Sequence, residues 1–263
     1  MRGAKTKIVV AGAGGKMGRT LIEAVLADKS LSLTAVFDTK GSPAAGTVIA
    51  GVKVKSDAAA AIGMGDLLID FTRPEGTLAH LGNCVNLGKA MVIGTTGFDE
   101  AGKARIKSAS RKIPIVMAPN FAVGVNVVFK LAGQAAEILG DDYDVEIIEA
   151  HHRHKVDAPS GTALQLGEIV AGALKRDLDK VAAYGRSGET GARPGKQIGF
   201  HAIRGGDIVG EHSVVFAGTG ERVEITVRSQ SRMTYALGAL RALKWLKGRP
   251  AGLYDMTDVL ELK

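Results

Sequence analysis

Lys7-Ile-Val-Val-Ala-Gly-Ala-Gly-Gly-Lys-Met-Gly18 is the stretch on which the reading of the fold turns. Its first five residues run apolar without alternation, which suits a strand buried on both faces of a sheet. Met17, Leu21, Ala24 and Val25 then recur at helical spacing, so the glycines between form a strand-to-helix turn. A side chain in such a turn would block close approach of the backbone to a pyrophosphate, and the helix start offers free N–H groups to phosphates. Gly12, Ala13, Gly14, Gly15, Lys16 and Met17 are therefore candidate dinucleotide contacts. The spacing departs from Gly-x-Gly-x-x-Gly, because Met17 stands at the third glycine's place and Gly18 comes one residue late. Asp38 follows the strand-like run Leu33 to Phe37, where a carboxylate accepts hydrogen bonds from an adenosine ribose and repels a 2′-phosphate. Lys16 and Lys40 lie close enough in sequence to offset that repulsion, so both NADH and NADPH are expected as cofactors.

Further along, strand-like runs at Leu67 to Phe71, Ala90 to Ile93 and Ile113 to Met117 alternate with helical ones, one starting at Thr72-Arg-Pro-Glu75 and one over Asp99 to Lys112. Residues 1–122 thus read as an α/β, Rossmann-like, doubly wound parallel sheet that binds a dinucleotide. Gly94-Thr95-Thr96 and Ala118-Pro119-Asn120-Phe121 fall at strand ends, where ligands bind in such sheets; their hydroxyl and amide groups suit a nicotinamide ribose and carboxamide. The rhythm then changes. A helix over Asn126 to Leu139, a strand over Tyr143 to Ala150 and a helix capped by Ser160 precede three strand-like runs without helices between them. Those runs, Gly199 to Arg204, Glu211 to Ala217 and Val223 to Ser229, predict a mixed or antiparallel sheet and an α+β second domain over 123–232. The Gly-rich stretch Tyr184 to Gln197 reads as a long loop that orders with ligands. Thr234 to Lys247 returns to helix, and 233–263 is expected to complete the first domain.

Composition bounds the possible functions. Hydrophobic residues make up 46%, which excludes a disordered chain, and no apolar run approaches the length of a bilayer span. No membrane association is expected. The net charge of +7 invites a nucleic-acid reading, but the excess is spread through the first half, with no basic run and little aromatic interleaving. No nucleic-acid partner is expected, and an anionic cofactor or substrate explains the charge more simply. A single cysteine, Cys84, cannot form an internal disulfide and fits a small core residue in a reducing, cytoplasmic protein.

The second chemical signal is His151-His-Arg-His-Lys155, which holds three of the six histidines and precedes Val-Asp-Ala-Pro-Ser160-Gly-Thr162. Imidazole exchanges protons near neutral pH, and lysine donates one when neighbouring cations lower its pKa. Arginine, lysine and the N–H groups of a helix start at Ser160-Gly161-Thr162 would hold a carboxylate. Two other readings stand beside this one: a metal site through His152 and His154, for which no second ligand group occurs at a recognised spacing, and a solvated basic loop. No metal is expected.

Glu149-Ala-His-His-Arg-His-Lys-Val-Asp-Ala-Pro-Ser-Gly-Thr162 is very similar to the signature of the dihydrodipicolinate reductase family. The resemblance extends over nearly the whole chain, through Gly12 to Arg19, Gly94 to Phe98, Ala118 to Ala122 and the closing Tyr254-Asp-Met. It implies NAD(P)H-dependent reduction of 4-hydroxy-tetrahydrodipicolinate to tetrahydrodipicolinate in lysine and diaminopimelate biosynthesis. It also implies a homotetramer assembled through the central substrate domain. By the same resemblance His151 is a proton donor and acceptor and Lys155 a proton donor, while His152, Gly161 and Thr162 contact a substrate carboxylate with help from Ser160. Gly12 to Met17, Asp38, Gly94 to Thr96 and Ala118 to Phe121 correspond to cofactor contacts. Some members carry Glu-Arg at the end of the second strand; Asp38-Thr39 stands here, and the missing arginine argues against a strong NADPH preference. A semialdehyde dehydrogenase would need a nucleophilic thiol, for which Cys84 is poorly placed, and a silent dinucleotide sensor would leave the histidine cluster without a purpose.

Overall fold

The computed structural model describes residues 4–262, which fall into two compact units, one of 4–123 with 232–262 and one of 124–231. The first unit opens with β1 (Thr6–Ala11), α1 (Lys16–Ala27) and β2 (Leu31–Phe37), continues through β3 (Val48–Ile49), β4 (Val52–Lys55) and α2 (Ala58–Gly63), and then repeats the strand–helix rhythm. That rhythm comprises β5 (Leu67–Asp70), α3 (Pro74–Leu87), β6 (Ala90–Ile93), α4 (Glu100–Ala109) and β7 (Pro114–Met117). The eight-stranded sheet runs β13-β7-β6-β5-β1-β2-β4-β3, where β13 is Gly252–Tyr254, and every pair is parallel except β3 with β4.

Alternation along the central strands feeds two cores. Ile8, Val10, Ile69 and Val92 bury on one face of the sheet, beneath Leu21 and Val25 of α1 and Ala239 and Leu243 of α8 (Met233–Leu246). Val9, Leu68, Met91 and Ile115 bury on the other, against Ile62 of α2, Leu81 and Cys84 of α3 and Ile106 of α4. A strand covered on both faces needs apolar side chains in both directions, hence the unbroken run in β1. Each fully buried aliphatic side chain contributes about 1.5–3 kcal/mol relative to exposure.

The second unit carries α5 (Val123–Leu139), β8 (Asp144–His151), α6 (Gly161–Ala173), α7 (Leu178–Val181), β9 (Ala182–Tyr184), β10 (Ile198–Arg204), β11 (Gly210–Ala217) and β12 (Arg222–Ser229). Its five strands follow the order β12-β11-β8-β10-β9, antiparallel on the β11 side and parallel among β8, β10 and β9, so the sheet is mixed. A four-residue α9 (Met256–Val259) closes the described chain with a capping box from Asp255.

Several elements differ from the sequence-based reading. The β3–β4 hairpin, α2, α7, β9, β13 and α9 are too short for a hydrophobic period to register. Helix α5 starts at Val123 rather than Asn126, and β8 runs one residue further, to His151. Tyr184 belongs to β9, and the loop after it is pinned within the unit. Arg193 donates to Asp144, to Glu146 and to the carbonyls of Val145 and Gln197 at 2.6–2.9 Å, and Arg186 reaches both oxygens of Glu146.

Candidate active site

The glycine turn is built around two close approaches. Gly12 has φ +67, a backbone conformation that strains any other residue, and a Cβ there would lie 2.8 Å from Thr72 Cγ2. A Cβ on Gly18 would lie 2.0 Å from the Gly12 carbonyl oxygen, so Gly18 lets α1 pack onto the turn. Gly18 therefore performs the packing role of the displaced third glycine, and Met17 packs beside the core. Ala13 is buried and donates its N–H to the Phe37 carbonyl, while Gly15 and Lys16 are exposed at the helix start. Asp38 accepts the Gly14 N–H at 2.8 Å and the Thr39 N–H at 2.8 Å, so it braces the turn from the end of β2. Beside it opens a cleft of about 880 Å³ whose lining includes Gly15, Lys16, Asp38, Lys40, Thr72 and His80. Glycines where side chains would clash, an uncapped helix start and a cleft of this size together fit a dinucleotide.

The two other strand-end loops present themselves unevenly. Thr96 and Pro119 are exposed and Gly94 and Asn120 partly so, whereas Thr95 is buried with its hydroxyl 2.8 Å from that of Thr77. Ala118 and Phe121 are core residues; the Phe121 ring packs 5.4 Å from that of Phe71 and its carbonyl lies where a Cβ on Gly238 would sit. Only their backbone remains to meet a ligand. Sequence reasoning missed the network beneath the cleft. Buried Asp70 accepts from the Thr72 N–H and hydroxyl through Oδ1 and pairs with His80 Nδ1 at 2.7 Å through Oδ2. An aspartate ending an otherwise apolar strand was the available signal.

In the second unit, strand geometry gathers the chemistry. Side chains two residues apart on a strand share a face, so Val145, Ile147, Glu149 and His151 all turn inward, and Glu149 Oε2 lies 2.7 Å from His151 Nδ1. On β11, His212 stands opposite Glu149, and on β10, Arg204 stands opposite His151. Arg204 donates to both oxygens of Glu149, at 2.7 and 2.6 Å. Ser160 caps α6 by accepting the Ala163 N–H at 3.2 Å; its own N–H donates to Glu149 Oε1 at 3.1 Å, and its hydroxyl lies 3.0 Å from His212 Nε2. Lys155 pairs with Asp157 at 2.9 Å and keeps about a fifth of its side chain exposed. His152 has a buried Nδ1 without a hydrogen-bond partner in the protein. Gly161 is exposed and Thr162 partly exposed at the helix start, and His154 is exposed.

The electrostatics follow from burial and pairing. Burial lowers the His151 pKa and Glu149 offsets only part of that, while the charges of Lys155 and Arg204 push the same way as burial. Burial alone would raise the Glu149 carboxyl, but hydrogen bonds from Arg204 and His151 outweigh it and hold the group below its ordinary value. Burial, with the neighbouring His151, pushes His212 down to about 4. At neutral pH Glu149 is therefore a carboxylate, and His151 and His212 are neutral imidazoles. His212, Glu149 and Arg204 were absent from the sequence-based site. For His212 the signal was a polar residue on the inward side of an alternating strand, in register with Val214 and Phe216. Among the described residues no cluster of His, Cys, Asp or Glu could hold a metal ion, and no helix is long and apolar enough to cross a membrane. Cys84 is buried, and desolvation pushes its pKa up to about 12, which suits an inert core thiol.

A glycine turn suited to a dinucleotide on a doubly wound sheet, with a buried histidine–glutamate–arginine cluster elsewhere in the chain, fits a nicotinamide-dependent oxidoreductase. The family models described as dihydrodipicolinate reductase, N-terminus and C-terminus, match residues 6–121 and 124–260, and the chain belongs to that family. It is 58% identical over 265 residues to the 4-hydroxy-tetrahydrodipicolinate reductase of Dechloromonas aromatica, covering 98% of this chain and 99% of that one. The enzyme of the same name from Aromatoleum aromaticum is 58% identical over 264 residues, covering 98% and 96%. The solved structure of dipicolinate-bound dihydrodipicolinate reductase from Paenisporosarcina sp. TG-14 superposes with a TM-score of 0.78 at 25% identity, over 97% and 98% of the two chains. GenD2 from gentamicin A biosynthesis, solved in complex with NAD, shares the fold alone, with a TM-score of 0.59 at 14% identity.

Proposed function

We propose that this chain reduces 4-hydroxy-tetrahydrodipicolinate to tetrahydrodipicolinate, with loss of water, in cytoplasmic lysine and diaminopimelate biosynthesis. The observation that carries this reading is the convergence of His151 and Ser160 on Glu149, with Lys155 close enough for its charge to act on His151. One cluster thus brings groups suited to moving protons beside groups suited to binding carboxylates. The relatives bearing the corresponding name match over nearly the full chain.

A reduced nicotinamide, when bound, supplies the hydride. Gly12 to Met17 and Asp38 would hold its dinucleotide, assisted by Gly94 to Thr96 and by the backbone of Ala118 to Phe121. His151 exchanges a proton with the substrate and Lys155 donates the one that completes reduction. His152, Gly161 and Thr162 hold a carboxylate, and Ser160 orients the helix start that presents those N–H groups. Asp38 without a following arginine, balanced by Lys16 and Lys40, supports use of both NADH and NADPH. A homotetramer built through the second unit is supported by the sheet face opposite His151, which leaves Ile148 and Ile203 exposed on neighbouring strands.

The test is the fall in reduced-nicotinamide absorbance when purified protein meets freshly prepared substrate, with NADH and NADPH in parallel. Oxidation that requires the substrate is expected with both. Oxidation at the same rate without substrate, or none at all, would overturn the proposal.

A further inference from the structure

We propose that Glu149 is a positioning residue that couples the proton-exchanging imidazole to the carboxylate-binding helix start, one carboxylate oxygen setting each. This inference rests on the reductase reading of the site. Glu149 is 1% exposed, so its oxygens have only protein partners. Oε2 takes His151 Nδ1 and one Arg204 nitrogen; Oε1 takes the Ser160 N–H and the other.

The consequences for His151 are specific. A carboxylate accepts only, so the Nδ1 facing it carries the ring proton and Nε2 becomes the working nitrogen. The groups facing this imidazole are Glu149 on its own strand, Arg204 from β10, His212 from β11 and Lys155 from the following loop. His212 cannot take the place of Glu149, because its ring meets His151 edge-on, with centroids 5.1 Å apart, and its Nε2 faces the Ser160 hydroxyl. The Ser160 oxygen accepts the Ala163 N–H and also meets Nε2 of His212, an imidazole held neutral by burial, so the two groups share one hydrogen bond whose donor follows the tautomer of that ring. The helix start is therefore fixed twice, through its N–H by Glu149 and through its hydroxyl by His212. A shift of the carboxylate moves imidazole and anchor together.

Glu149→Gln keeps the volume and removes this double acceptor. Its NH2 group must face either His151 or Ser160, and facing His151 it donates to Nδ1 and drives the ring proton to Nε2. Three readouts follow, with ¹⁵N-histidine NMR of the intact protein first, the His151 signals being assigned by their loss in His151→Asn. Wild type should show the Nδ1–H tautomer, and Glu149→Gln the Nε2–H form or a mixture. Dipicolinate binding, measured by calorimetry, should weaken roughly 10- to 100-fold, as when outer-shell carboxylates that orient imidazoles are removed. The kcat/KM profile should fall, its His151 limb moving to lower pH because a charge that favours imidazolium is gone. Glu149→Asp, which keeps the charge, should restore part of that shift.

A Glu149→Gln protein of lower thermal stability with unmoved tautomer and pH limb would make Glu149 merely structural and overturn the proposal. Should the variant not fold, wild type decides alone, since an Nε2–H tautomer there is equally fatal. The expected tautomer and dipicolinate effect in a protein without turnover would count against the reductase reading and leave the role of Glu149 standing.

Discussion

Lys155 sits on a short loop after β8 with its ammonium on Asp157, mostly shielded and close enough to His151 to influence its protonation. If it donates the final proton, Lys155→Ala should lower kcat by roughly two to four orders of magnitude and change KM far less. His152, whose buried Nδ1 has no hydrogen-bond partner in the protein, should behave oppositely: His152→Ala raises KM with kcat nearly intact, because an interaction made equally in ground and transition states does not accelerate the chemical step. Steady-state kinetics of both variants checks the pair, and near-normal kcat in Lys155→Ala would pass the donor role to His151 or water. Asp38 carries a different expectation. Its carboxylate both braces Gly14 and faces the cleft, so Asp38→Ala should weaken NADH more than NADPH, removing a ribose acceptor and a charge that repels a 2′-phosphate. Fluorescence titration of the two cofactors measures the ratio, and an equal loss for both would assign Asp38 to the turn alone.

Among the elements, the loop after β9 shows how side chains order a backbone that composition marks as loose. Arg193 bridges Asp144 and Glu146 and holds three carbonyls, and Arg186 and His201 complete the ring around Glu146. Burial would raise the Glu146 carboxyl, but these partners bring it down to about 2. Arg193→Ala should speed amide exchange across 185–197 while leaving α1 and β1 unchanged, as hydrogen-exchange mass spectrometry would show. No local pattern could have announced this arrangement, because the contacts join residues 47–49 positions apart. The same distinction governs legibility elsewhere. The long strands and helices, the turn at Gly12 and the cap at Ser160 were readable because they depend on neighbours in sequence. His212 and Arg204 were not, because strand register brings them to Glu149 from 63 and 55 residues away. Spacing alone left Gly18 one residue late and without a role; its need to be glycine comes from the Gly12 carbonyl pressed against it.

For the whole molecule, the buried imidazoles tie stability to pH. His212 has its pKa lowered from 6.5 to about 4, so between these values the unfolded chain binds a proton that the folded chain refuses. Stability should therefore fall as pH drops through that window, by up to about 1.4 kcal/mol per pH unit, with His151 pushed the same way. Below about 4.5 the loss of Glu146, whose folded pKa is about 2, adds to it. Denaturant unfolding across this range should give a flatter slope for His212→Asn, and an unchanged slope would remove His212 as the cause. A last consequence concerns time rather than energy. The first unit takes its closing pieces, α8 and β13, from the far end of the chain, with Ala239, Leu243 and Leu246 filling the core against Leu21 and Val25. A ribosome releases residues 124–231 before those pieces exist. The inserted unit can therefore fold while the unit that was begun first still waits, part of one apolar sheet face uncovered, for α8 and β13.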